Sequence, residues 1–228
     1  MPKSVHYFGD KMTITLRLLG HASFKMTIGD KKIYIDPYGG GDEEYKEKAD
    51  LILASHKHGD HSSKEKIKLM KEKSTILITS SDNKSNLEGN VVALDPGQKY
   101  EYHGITIHGV PGYNVRRFRS PGEPFHPKNI QTAFVIEAEG KRIYFAGDTD
   151  FIEEMKDLKN IDYALLPIDG HYTMSPEEAL DAVGAIKPKY VVPMHWRDQK
   201  PENFKKAVEK KYPGIVVKVI LPGKSIEI

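Results

Sequence analysis

The chain has 228 residues, 39% hydrophobic and 29% charged, with 34 Lys and Arg against 32 Asp and Glu, 10 His and no Cys. Without Cys there is no disulfide framework, no thiolate zinc finger and no cysteine nucleophile, so any transition metal must be held by imidazoles and carboxylates. The formal charge of +2 gives no strong field for nucleic acid or a membrane surface, and no apolar run reaches the roughly 18 residues of a transmembrane helix.

Residues 1–11 read as a loose lead-in without the apolar segment of a secretory signal, which makes the cytoplasm the expected location. Short strands follow. Thr13–Leu18 and Ser23–Ile28 alternate with period two, and Gly29-Asp30 turns the chain into Lys32–Ile35. Asp50–Ala54 is apolar throughout its last four residues, as suits a strand covered on both faces. A helix is predicted over about 63–73. Strands are predicted at Thr75–Thr79, Val91–Leu94, Tyr100–Tyr102 and Ile105–Ile107. Residues 111–130 hold four Pro, two Gly and three Arg with little periodicity, the pattern of a long functional loop. The chain then alternates. A hairpin of Ala133–Ala138 and Lys141–Phe145 precedes a short helix at 151–159 and a strand at Tyr163–Pro167. Ser175-Pro176-Glu177-Glu178 starts a helix that runs to about Ile186, with Ser as cap, Pro first and Glu third. Strand Lys189–Met194, helix Pro201–Lys211 and strands Ile215–Leu221 and Ser225–Ile228 complete the order. The pattern describes sheets covered by helices, an α/β (α+β) chain forming one domain over residues 1–228.

The chemistry concentrates in Ser55-His56-Lys57-His58-Gly59-Asp60-His61, between a buried strand and a helix. Imidazole nitrogens and carboxylate oxygens bind divalent metals at about 2.0–2.2 Å. In extended chain, His56 and His58 project the same way and reach one ion. Asp60 and His61 lie beyond the turn, where they can face a second, and Lys57 points away.

This His-x-His-x-Asp-His run resembles the signature of the metallo-β-lactamase superfamily. Leu19-Gly20-His21-Ala22-Ser23-Phe24 and Ile35-Asp36-Pro37 are similar to the early strands of its branch containing ascorbate-6-phosphate lactonase and related metal-dependent hydrolases. Ala146-Gly147-Asp148-Thr149-Asp150 resembles the family's bridging-aspartate motif, and Pro193-Met194-His195 its final histidine motif. The resemblance implies a four-layer αββα sandwich with a two-metal site at one edge. His56 and His58 would bind the first ion, Asp60, His61 and His195 the second, and Asp148 both. It also implies a hydrolase that uses zinc or manganese, with iron as a further candidate, to activate water. Asp60 and His195 would be catalytic, Asp60 by orienting the nucleophile or carrying its proton.

The sequence departs from that pattern once. Where a third histidine for the first ion is expected, the chain reads Val110-Pro111-Gly112-Tyr113-Asn114. Either His126 folds back from the loop to complete the site, or Asn114 binds weakly and the first ion is held loosely. His21 lines the site or supports a ligand from behind; a structural histidine is the alternative. Asp36 supports a metal ligand or forms an Asx turn. His171 reaches substrate at the mouth or is a plain loop residue. Arg116, Arg117 and Arg119 suit a phosphate or carboxylate, the alternative being a solvated loop. Thr149 and Asp150 suit the cap of the following helix. The expected partner is a small anionic substrate, an ester, lactone or phosphodiester. A nuclease acting on RNA or DNA and a metal redox or sensor protein are the competing readings, and homo-oligomerisation stays open.

Overall fold

The computed structural model describes residues 12–228; the lead-in expected at 1–11 lies outside the described residues. The strands are β1 (Ile14–Gly20), β2 (Ser23–Ile28), β3 (Lys31–Ile35), β4 (Leu51–Ala54), β5 (Ile76–Thr79), β6 (Asn90–Ala93), β7 (Lys99–Tyr102) and β8 (Ile105–Val110). A small hairpin of β9 (Phe118–Ser120) and β10 (Glu123–Pro124) precedes β11 (Ala133–Ala138), β12 (Lys141–Phe145), β13 (Tyr163–Pro167), β14 (Tyr190–Met194), β15 (Val216–Val217) and β16 (Lys224–Glu227). Two seven-stranded sheets result, in the orders β16-β1-β2-β3-β4-β5-β6 and β15-β14-β13-β12-β11-β8-β7.

Each sheet is antiparallel on one side and parallel on the other, the change falling at β3 and at β12. Their inner faces share a core in which Phe24 of β2 meets Phe145 of β12 edge to face, 6.3 Å between centroids. Ile67 and Met70 of α1 (Lys64–Met70) pack with Tyr34, Ile52 and Leu77 on the outer side of the first sheet. Beside the second sheet lie α3 (Pro176–Ile186), presenting Ala179, Ala182, Val183 and Ile186, and α4 (Pro201–Lys211), presenting Phe204 and Val208; one further turn, α2, spans Ser81–Lys84. The layers are those of the expected αββα sandwich.

The strongest local signals gave the best boundaries. Ser175 accepts from the Glu178 N–H and Glu178 Oε2 from the Ser175 N–H, the full capping box behind Pro176. β4 is buried along its whole length, as its sequence implied. Other elements are shorter than expected. α1 stops at Met70 because the Thr75 hydroxyl accepts from Glu72 N–H and donates to Ala49 O, drawing the chain into a turn. The helix expected at 151–159 is one 3₁₀ turn, Glu153–Asp157, with only Met155 buried. The strand expected at 215–221 is just Val216–Val217, since β14 offers its edge to two residues only.

β1, β3 and β4 run in one direction, both β1 and β3 being antiparallel to β2. In the second sheet β8, β12, β13 and β14 likewise share a direction, with β11 antiparallel between β8 and β12. The C-terminal ends of these seven strands carry His21, Asp36, the His56–His61 turn, Asn114, Asp148, Asp169 and His195. Convergence of residues far apart in sequence is a consequence of strand direction.

Candidate metal centre

Two groups of donors lie at that edge. One donor atom from each of His56, His58 and His126 lies within 4.8 Å of the others, and the same holds for His21, Asp60, His61 and His195. Asp148 Oδ2 sits 3.2 Å from His61 Nε2, 3.5 Å from His126 Nε2 and 3.6 Å from His195 Nε2. Gly147, at φ 63°, lets this turn lie close to Ser55; a Cβ there would meet Ser55 Cβ at 3.3 Å in a backbone conformation that L side chains rarely adopt.

Supporting groups fix which nitrogen of each ring faces inward. Asp36 is fully buried and accepts from Ser55 N–H at 2.7 Å, from Ser55 Oγ–H at 2.7 Å and from His61 Nδ1–H at 2.7 Å. Because Ser55 donates to Asp36, its oxygen accepts from His56 Nδ1–H at 2.9 Å, which leaves His56 Nε2 with a lone pair. Asn114 Oδ1 accepts from His126 N–H and from His126 Nδ1–H, both at 2.8 Å, while its amide donates to Tyr172 O at 3.0 Å. His126 Nε2 is therefore also a lone pair. On the far side, His195 Nδ1 lies 3.1 Å from Asp169 Oδ2.

These residues fit a divalent cation. His58 Nδ1 stands 3.0 Å from His56 Nε2 and 3.2 Å from His126 Nε2. One proton on His58 can satisfy only one of those lone pairs, whereas one cation satisfies all three. His61 Nε2 and Asp148 Oδ1 are buried without a hydrogen-bond partner among the described residues. Ligand atoms at about 2.1 Å from a tetrahedral ion are about 3.4 Å apart, the scale of these separations.

Charge divides the cluster. Burial, with neighbouring imidazoles adding to it, lowers His56 well below its ordinary pKa and lowers His58. Burial likewise takes His126 down to about 4, so all three rings are neutral near pH 7. His61 is raised well above its ordinary value: burial opposes the proton, but Asp148 and Asp36 outweigh it. His195 is raised in the same way by Asp148 and Asp169, and Asp148 is held well below the carboxylate range despite burial. The carboxylates thus demand positive charge at this spot.

The open side is a cavity of about 390 Å³ lined by His58, Asp60, Arg119, Phe125, His126, Asp148 and Tyr172. Asp60 is partly exposed there, its side chain 45% accessible. Arg119, carried by β9, lies over the Phe125 ring at 5.3 Å and has no carboxylate partner among the described residues. Phe125 meets Tyr172 edge to face at 4.8 Å, and exposed Arg197 lies over Tyr172 at 5.1 Å.

The sequence-predicted residues do not all reach this place. Arg116 and Arg117 are turned to the frame: Arg116 pairs with Glu178 at 3.1 Å, and Arg117 bridges Asp150, at 3.0 Å, and Glu178. Both thus face protein carboxylates and neither lines the cavity, where Arg119 is the loop arginine. Asp150 is no helix cap: it accepts from the N–H groups of Val115, Arg116 and Arg117 at 2.7, 2.6 and 3.3 Å, clamping the root of the long loop. His171 is exposed outside the cavity wall, its ring 6.3 Å from Phe125. Asn114 stands behind His126 rather than replacing it. Sequence reasoning missed Ser55, Asp169 and Tyr172. The signal for Asp169 was an acidic residue just past a buried strand, the same pattern as Ile35-Asp36.

Residues 15–195 match the β-lactamase superfamily domain. A UPF0173 metal-dependent hydrolase of Thermococcus onnurineus is 36% identical over 233 residues, covering 94% of this chain and 100% of that protein. One of Pelotomaculum thermopropionicum is 34% identical, covering 92% of this chain and 98% of that protein. Among solved structures, Igni18, a metallo hydrolase from the hyperthermophilic archaeon Ignicoccus hospitalis, superposes with a TM-score of 0.80 at 27% identity, over 95% of this chain and 98% of that one.

Proposed function

The chain belongs to the β-lactamase superfamily, among its UPF0173 metal-dependent hydrolases, and from that premise we propose that it hydrolyses a small anionic ester, lactone or phosphodiester at a two-ion centre. The observation that carries this reading is the set of imidazole lone pairs and orphaned carboxylate oxygens converging beside an open cavity with an unpaired arginine. His56, His58 and His126 would hold one ion, and Asp60, His61 and His195 the other, with Asp148 between them. An all-imidazole and carboxylate set suits zinc or manganese, and admits iron. When bound, the metal supplies Lewis-acid polarisation of the scissile group and lowers the pKa of the attacking water.

The protein's own groups do the rest. Asp36, Ser55, Asn114 and Asp169 orient the rings of His61, His56, His126 and His195 respectively. Asp60, at the cavity wall, orients the attacking water through a carboxylate oxygen. Arg119 binds the anionic group of the substrate. A cavity of about 390 Å³ is at the lower end of small-molecule sites, which favours a small substrate over a polymer.

The test is a panel of esters, lactones and phosphodiesters with metal-loaded protein. Hydrolysis of at least one class, abolished by chelation and restored by zinc or manganese, is expected; hydrolysis of none overturns the reading. Arg119→Met is expected to raise KM for an anionic substrate by roughly tenfold, with kcat nearly unchanged and an uncharged analogue unaffected, in line with loss of about 1.4 kcal/mol of uniform binding. Asn114→Ala, which frees the His126 ring, is expected to weaken the first ion by about 10–100-fold in a metal titration.

A further inference from the structure

His21 stands apart from the ligand set that the motifs imply, yet its ring nitrogen lies among the same donors. We propose that His21 is a direct ligand of the ion held by Asp60, His61 and His195, giving that site four protein side chains besides Asp148. The assignment rests on the two-ion reading above.

Five observations carry it. The donor atoms of His21, Asp60, His61 and His195 all lie within 4.8 Å of one another. His21 Nε2 is buried and has no hydrogen-bond partner among the described residues, although the ring as a whole keeps 20% exposure. Its nearest charged neighbour, Asp60 Oδ2, is 3.5 Å away. That is too long for a charge-assisted hydrogen bond, which closes to about 2.7–2.9 Å, and matches the roughly 3.4 Å between ligands sharing a tetrahedral ion. The ring is already placed by packing, 3.8 Å from the centroid of His195, 5.5 Å from that of His61 and edge-on to Tyr38 at 5.7 Å.

The fifth observation is backbone conformation. His21 has φ 55° and His195 has φ 47°, both left-handed, and the two are tied by a hydrogen bond from His195 N–H to His21 O at 3.0 Å. For a residue other than Gly this region is uncommon, with His among the types enriched in it, and such a conformation recurs where it aims a functional group. Here the ends of β1 and β14, one from each sheet, are both bent so that their imidazoles point at one spot. A residue that only terminated β1 could equally be Gly or Asn.

That difference supplies the test. His21→Asn keeps a residue tolerant of the left-handed backbone but ends short of the Nε2 position. Three measurements are compared with the parent protein: metal-free thermal stability, zinc or manganese stoichiometry with affinity, and the visible spectrum of the cobalt-substituted protein. The expected result is a metal-free melting temperature equal to or above the parent's, one ion bound as in the parent, the other bound at least tenfold more weakly, and a changed cobalt spectrum. Two ions bound at parental affinity with an unchanged spectrum overturn the assignment, as does a lowered melting temperature with intact metal binding, which marks a packing residue. His21→Gly, which relaxes the backbone fully, repeats both readings if the asparagine variant folds poorly. A parent protein that binds fewer than two ions overturns the two-ion reading itself, a result distinct from failure of His21 alone.

Discussion

Metal titration of His126→Ala is expected to give one tightly held ion in place of the two proposed for the parent protein, with kcat/KM lower by about 10²-fold or more. His126 is the third lone pair of its cluster, facing His58 Nδ1 at 3.2 Å with its other nitrogen fixed on Asn114. With it gone, two imidazoles remain, and a site that loses even a supporting contact already binds metal about 10–100-fold more weakly. The effect should be confined to one ion, because His61 and His195 draw their support from Asp36 and Asp169 and not from the long loop. The fold should survive. The loop's root is held by Asp150 on the N–H groups of 115–117 and by the Arg117 bridge between Asp150 and Glu178, neither of which touches the His126 ring. Unchanged stoichiometry and affinity would remove His126 from the centre.

Asp148→Asn is expected to lower kcat/KM by about 10³-fold, roughly 4 kcal/mol of transition-state stabilisation, and to weaken both ions of the proposed centre. One carboxylate oxygen, Asp148 Oδ2, lies within 3.6 Å of His61, His126 and His195, so it is the point at which the two donor groups meet. An amide of the same shape keeps the packing but removes the negative charge that the surrounding imidazoles and any bound cations balance. Steady-state kinetics with metal analysis on one preparation separates the cases. Loss of activity with both ions still tightly bound would place Asp148 in the chemistry alone; near-parental activity would remove it from the centre.

Much of this arrangement was legible because part of it is local. His56, His58, Asp60 and His61 fall on one turn, and an apolar strand before it with a helix after it announces where that turn sits. Asp148 and His195 were legible only through motif resemblance, since nothing nearby in sequence marks either as a donor. His126 was read as a substitute for a missing histidine, with Asn114 as its rival. In the structure the two are partners, Asn114 receiving both the backbone and ring N–H groups of His126. That pairing closes a loop with little periodicity, which sequence patterning does not describe. The arginines illustrate the same limit. Arg116, Arg117 and Arg119 are equivalent as a cluster of charge, yet the first two are drawn to Glu178 and Asp150 and only the third faces the cavity. Their roles depend on carboxylates 33 to 62 residues away in the chain, brought near by sheet order. Strand boundaries erred where edges decide them, as at β15, because an edge ends where its neighbour's free backbone ends.

The most direct test of the proposed two-ion centre is anomalous scattering from crystals of the protein reconstituted with zinc or manganese. Two peaks are expected, one within bonding distance of His56, His58 and His126, the other of Asp60, His61 and His195, with Asp148 between them. A single peak, or two peaks with His126 bonded to neither, would contradict it.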